Sequence, residues 1–302
     1  MAPVVAVLCA VGLGVVGCTA QRDADGGAGL KAAAAQQPPA PSPALALPLD
    51  AYGMSPSEQE RSDRAQAATE RACLKRFGLD WEGPGEEVLR EGARLIAGAS
   101  AERLGLIDEE QARTRGYHPP AWSVRGGRGQ EQAGHSGQHE PRDAAKDVLF
   151  GLKPQYQGKP VPAQGCRAEA ARTLDGPGVR ADEPQLIAEV TAKAGRAVSA
   201  DPRTAAAIKK WSDCLARAGH RYATPRAAAL DRRWANADEV TEAETTTAVA
   251  DVRCKRSTGY VRVLIAVTAD HQRRLIAEQA ADFSRLKRLK EQRAANIARA
   301  LG

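Results

Sequence analysis

The chain has 302 residues, 43% hydrophobic and only 4% aromatic, with 43 Lys and Arg against 37 Asp and Glu for a formal charge of +6. That apolar content excludes a wholly disordered protein, and so small a positive excess does not by itself indicate nucleic acid as a partner. The apolar residues are mostly Ala, with few β-branched runs, so the expected fold is all-α, its helices packed closely through small side chains.

Residues Pro3 to Val16 form an apolar run, PVVAVLCAVGLGVV. It has signal-peptide length and falls short of the roughly 20 residues that a membrane-spanning helix needs. The run ends in Val15-Val16-Gly17-Cys18, which resembles the bacterial lipobox. In that motif a branched apolar residue and small residues precede a cysteine that receives diacylglycerol before signal peptidase cuts in front of it. Cys9 does not fit, because Leu8 is too large beside the cut. The expectation is a lipoprotein signal peptide over 1–17, lipid on Cys18 and residence on the outer face of the cell membrane, with secretion as the alternative. No Lys or Arg precedes the apolar run, so either the start lies upstream or the export signal is weak. Two acyl chains anchor stably where one binds only marginally.

From Thr19 to about Gly53 the composition shifts to Ala, Pro, Gln and Gly, as in GGAGLKAAAAQQPPAPSPALALP, and this predicts a disordered tether over 18–53. A helical domain over 54–302 follows. Ser55-Pro56-Ser57-Glu58 combines a cap, Pro at the first helical position and Glu at the third, so a helix should run from there to Phe77 and stop at Gly78. Further helices are expected over Glu86–Ala97, after Asp108, over Glu183–Val198, Pro202–Ala218 and Pro225–Trp234, and from the capping box Thr241/Glu244 almost to the C-terminus, with a break near Ser257-Thr258-Gly259. In the last segment Tyr260, Leu264, Val267, His271, Leu275, Phe283, Leu286 and Leu289 recur at three- and four-residue steps and form one apolar stripe. A helix of about 40 residues, on the order of 60 Å, would pack along the domain or project from it. A flexible insertion is expected over about 123–142.

Setting aside Cys9 and Cys18 leaves Cys73, Cys166, Cys214 and Cys254, an even number for an oxidising compartment. An internal similarity bears on their pairing: Ala72-Cys73-Leu74-Lys75-Arg76-Phe77-Gly78 resembles Asp213-Cys214-Leu215-Ala216-Arg217-Ala218-Gly219, and each is followed later by a second cysteine. Cys73 with Cys166 and Cys214 with Cys254 is the economical choice, within two related halves at 54–175 and 182–302. Free buried thiols or a zinc site are the alternatives, although no CxxC spacing or paired His accompanies the cysteines.

The stretch Trp211-Ser-Asp-Cys214-Leu-Ala-Arg-Ala-Gly219, with Tyr222, Pro225 and then Ala250-Asp251-Val-Arg-Cys254 before a long helix, resembles a family of secreted proteins and lipoproteins of actinobacteria. Tyr117-His118-Pro119-Pro120 and the Gly165-Cys166 turn are similar too. The resemblance implies an exported helical domain with paired cysteines and brings no activity with it.

Catalytic motifs are hard to find. His135 and His139 stand four apart, but in glycine-rich GRGQEQAGHSGQHEP, which argues against one helical face and against a metal pair. There is no G-x-S-x-G elbow, P-loop, dinucleotide fingerprint, HExxH or EF-hand loop, and no cofactor is expected. From Arg256 to Gly302 ten basic residues face four acidic ones, and Arg285, Lys287, Arg288, Lys290 and Arg293 form a basic run that could meet anionic lipid or a wall polymer. Export removes nucleic acid as a partner. The leading expectation is a membrane-anchored, non-catalytic binding or accessory protein, with an envelope protein as its partner. The alternative is a wall-directed enzyme or glycan-binding module that stacks sugars on Trp81, Trp122, Trp211 and Trp234.

Overall fold

The structure, a computed structural model, describes residues 45–119, 143–177, 183–237 and 239–302. Cys18, the apolar run before it, Trp122, His135 and His139 lie outside them. The described residues build an all-α body with a single two-stranded hairpin.

Side-chain caps set half of the helix starts among the described residues. In α1 (Pro56–Lys75) the Ser55 hydroxyl accepts the Glu58 amide at 3.3 Å, and the Glu58 carboxylate accepts the Ser55 amide at 2.7 Å. α2 (Glu86–Glu102) runs past its expected end at Ala97. Asp108 caps α3 (Glu109–Arg115). α4 (Asp143–Phe150) carries no start signal that the sequence reading used, and the hairpin β1 (Gln155–Tyr156) and β2 (Lys159–Pro160) follows it. Gln157 and Gly158 at its tip both have positive φ, as a two-residue primed turn requires.

α5 (Gly165–Asp175) begins at a close backbone crossing: a Cβ on Gly165 would lie 2.3 Å from the Leu149 carbonyl and 2.4 Å from the Gly151 nitrogen. α6 (Glu183–Ala200) and α7 (Pro202–Arg217) follow, the second capped by Asp201. The helix expected over Pro225–Trp234 is two short helices, α8 (Pro225–Ala229) and α9 (Arg232–Ala235), because Asp231 accepts the Arg233 amide at 2.9 Å and caps a new start. α10 (Glu242–Ser257), α11 (Tyr260–Glu278) and α12 (Ala280–Leu301) complete the chain.

The C-terminal segment breaks near Gly259 as expected and again at Gln279, whose φ of −124° and ψ of 36° leave the helical region. The bend turns Phe283 into a core with Leu49 and Val190, so α12 packs back on the body instead of continuing a 40-residue rod. It lies against α1 and α5, while α3 lies against α10. Each half of the sequence thus lends a helix to the other, and the packing crosses between 54–175 and 182–302.

Both disulfides are present, Cys73 with Cys166 and Cys214 with Cys254, with Cα separations of 5.6 and 5.7 Å. Each sits in its own apolar cluster. Cys73 and Cys166 pack with Leu74, Phe77, Val148 and Leu149; Cys254 packs with Ala207, Trp211, Leu215 and Tyr260.

The expected tether over 18–53 is too long at its C-terminal end, because residues 45–53 belong to the body. Leu47 and Leu49 are buried, and Tyr52 meets Phe283 edge to face at 4.7 Å. The Leu49 amide donates to Gln272 Oε1 at 3.1 Å, and Arg103 grips Asp50 at 2.7 and 3.0 Å. The Pro- and Ala-rich composition hid apolar anchors in A-L-A-L-P-L-D-A-Y that fit a groove between α6, α11 and α12.

Candidate functional site

The ionisable side chains that would carry chemistry are largely sealed between helices. Asp251 and Lys255, one turn apart on α10, form an ion pair at 2.9 Å with side chains 0% and 4% exposed. Trp211 Nε1 donates to Asp251 at 2.8 Å, and Lys255 Nζ donates to the Leu106 carbonyl at 2.7 Å. Burial pushes the Asp251 carboxyl up, and Lys255, Trp211 and Tyr117 oppose it. Burial, reinforced by the Asp251 charge, pushes the Tyr117 phenol well above its ordinary range.

Two turns earlier on α10, Glu244 Oε1 takes the Tyr117 amide at 2.6 Å and lies 2.9 Å from His118 Nδ1. The other ring nitrogen of His118 lies 2.9 Å from the Ala237 carbonyl, which can only accept, so Nε2 carries a proton. The Nδ1 contact then needs one more proton, held by the ring or by Glu244. Gly116, with φ 57° and ψ −128°, makes room for this contact, since a Cβ there would stand 2.5 Å from the Glu244 carboxylate. These groups tie α3 and the segment after it to α10.

Above the Cys214–Cys254 bridge the surface is concave. A depression of about 470 Å³ is lined by Arg113, His220, Thr245, Thr246, Arg253 and Cys254, among others. α3 supplies the first, the turn after α7 the second, and one face of α10 the rest. Arg113 and Arg253 both contact Glu109, Arg253 through Nε at 3.0 Å and Nη2 at 2.9 Å, and Arg256 reaches it at 3.3 Å. Arg253 first, and then Arg113 and Arg256, hold the Glu109 carboxyl below the usual carboxylate range.

The basic run on α12 does not present one face, which corrects its reading as a five-residue contact with an anionic surface. Lys290 donates to the Gly53 carbonyl at 2.6 Å and pairs with Glu58 at 3.2 Å. Arg293 contacts Asp175 and donates to Ser62 Oγ at 3.0 Å, and burial pulls its guanidinium below its ordinary value. Arg285 is half-buried, while Lys287 and Arg288 face solvent. Periodicity concealed this, since the two inward cations lie on the side of α12 that meets α1.

Trp211 and Trp234 are 0% and 2% exposed and belong to the core, where neither can stack on a sugar. Trp81 packs beside the Cys73 cluster. Among the described residues no three His, Cys, Asp or Glu side chains gather as metal ligands would, and no helix is long and apolar enough to cross a membrane. The sequence reading missed Arg113, His220 and Arg253 as a group, because they lie on three separated segments with no shared motif. No family model matches the chain, nor does any curated protein or solved structure.

Proposed function

We propose that this is an extracytoplasmic lipoprotein, held to the membrane through Cys18, that works by binding. The observation that carries the reading is the contrast between its two polar regions. Asp251, Lys255, Glu244 and His118 are spent on cross-ties between helices, whereas the solvent-open depression offers guanidinium and hydroxyl groups on α3 and α10 and an imidazole from the turn after α7, with α7 and α10 joined by a disulfide. Such a surface holds a ligand in place, and rigid elements favour that role because little order is lost on binding.

The lipobox-like Val15-Val16-Gly17-Cys18 supports the address, as does the resemblance to secreted actinobacterial lipoproteins. Between Cys18 and the body, Thr19 to Ala44 could span up to ~90 Å when fully extended, enough to hold the body clear of the lipid headgroups. Growth with a labelled palmitate analogue tests the anchor. The wild-type protein should carry the label in the membrane fraction, and Cys18→Ala should lose the label and the membrane association together. Retention of both would remove the anchor from the account.

A further inference from the structure

We propose that the depression over the Cys214–Cys254 bridge binds the phosphate group of a phosphomonoester or of inorganic phosphate. The proposal rests on the reading of this protein as a binding protein and names its ligand class. Three guanidinium groups, from Arg113, Arg253 and Arg256, converge on Glu109, whose side chain is only 15% exposed behind them. Glu110 adds a second, exposed carboxylate at 3.4 Å from Arg113. Three cations therefore face two carboxylates. Arg113 and Arg253 line the depression, and its lining includes no acidic residue. Arg253 uses Nε and Nη2 on Glu109, which leaves the N–H groups of Nη1 to meet an oxyanion.

His220 narrows the ligand further. Thr247 Oγ1 lies 2.8 Å from the Ala243 carbonyl, which can only accept, so its single hydroxyl proton is committed there. The His220 Nδ1 found 3.1 Å from the same oxygen must then be the donor. Nε2 is left for a ligand. In the neutral ring it is an acceptor, and it suits an anion that still carries a hydroxyl. Inorganic phosphate always keeps a P–OH near neutral pH, and a phosphomonoester keeps one in the fraction that remains monoanionic, whereas sulfate has none.

The support beneath is fixed: Cys254 is tied to Cys214 at the end of α7, and Glu109 ties α3 to α10. Neither helix must move to assemble the site.

Calorimetric titration of the detergent-extracted, full mature protein with inorganic phosphate and with sulfate tests the inference. The expected result is saturable phosphate binding, with sulfate weaker by about 10-fold or more for want of the P–OH donor. Arg253→Gln and His220→Phe should each weaken phosphate by about 10-fold, and Glu109→Gln should tighten it by releasing guanidinium donors. A merely structural role for Glu109 would not produce tighter binding. Thermal melts of each variant identify any that fail to fold, and Arg113→Gln substitutes for one that does.

Vesicles of phosphatidylcholine with and without phosphatidic acid distinguish a lipid headgroup from a soluble source, since both present a phosphate group that can carry a P–OH. Absence of phosphate binding, equal affinity for sulfate, or indifference to all the substitutions would overturn the proposal. Phosphate binding by a protein that is secreted unlipidated refutes the anchor and leaves the site standing, while an anchored protein without phosphate binding refutes the site alone.

Discussion

Trp211 donates its indole N–H to Asp251 at 2.8 Å in a part of the core where both side chains are fully buried. This bond joins α7 to α10 beside the Cys214–Cys254 bridge and completes the satisfaction of a carboxylate that also holds Lys255. Asp251→Ala would leave the Lys255 ammonium buried without its partner and should cost about 3 to 5 kcal/mol. Lys255→Met should cost a similar amount for the opposite reason. Chemical denaturation of the two single variants and of the double variant checks this: the double should lose less than the sum, because it removes the pair together.

Glu70 supplies a pH-dependent test. It is 5% exposed, and burial pushes its carboxyl above the ordinary value, with the Gln66 amide at 2.7 Å opposing that shift. A carboxyl raised in the folded state lends stability below its unfolded value, and that contribution is lost as pH rises through the folded value. Glu70→Gln should therefore raise the melting temperature relative to wild type at pH 7, and the gain should vanish near pH 4. A variant equally stable or less stable than wild type at pH 7 would contradict this.

The two disulfides should differ in accessibility. Cys73 and Cys166 are 3% and 0% exposed, whereas Cys214 is half-buried and Cys254 borders the open depression. Graded reduction followed by thiol labelling and mass spectrometry should release Cys214 and Cys254 first. Removing the Cys73–Cys166 bridge, which closes a loop with a sequence separation of 93, should cost up to about 4 to 5 kcal/mol in the chain-entropy view.

Gly116→Ala tests the Glu244 cross-tie. The added Cβ would meet the Glu244 carboxylate at 2.5 Å, in a backbone conformation that glycine alone adopts readily. A loss of about 2 kcal/mol or more is expected, read as a lower denaturation midpoint.

The caps and the cysteines were the legible part of this fold. Ser55, Asp108 and Thr241, where the sequence sets helix starts, each accept a backbone amide. The repeated Cys-Leu-x-x-x-Gly gave the disulfide partners. Gln279 gave no warning, because nothing in its chemistry breaks a helix; the bend exists because Phe283 gains a core with Leu49 and Val190. Pro225–Trp234 reads as one helix from its alanines, and only the Arg233 amide accepted by Asp231 reveals the break. The inward turn of Lys290 and Arg293 depends on Gly53, Glu58, Ser62 and Asp175, all remote in sequence. The depression was illegible for the same reason, since Arg113, His220 and Arg253 meet only after α3 has packed on α10.

Lipid on Cys18 is decided by the intact mass of the protein recovered from membranes. The expected species is a chain that begins at Cys18, carries a diacylglyceryl group and has its four remaining cysteines oxidised. A chain that retains residues 1–17, or one recovered from the medium with an unmodified N-terminus, would contradict it.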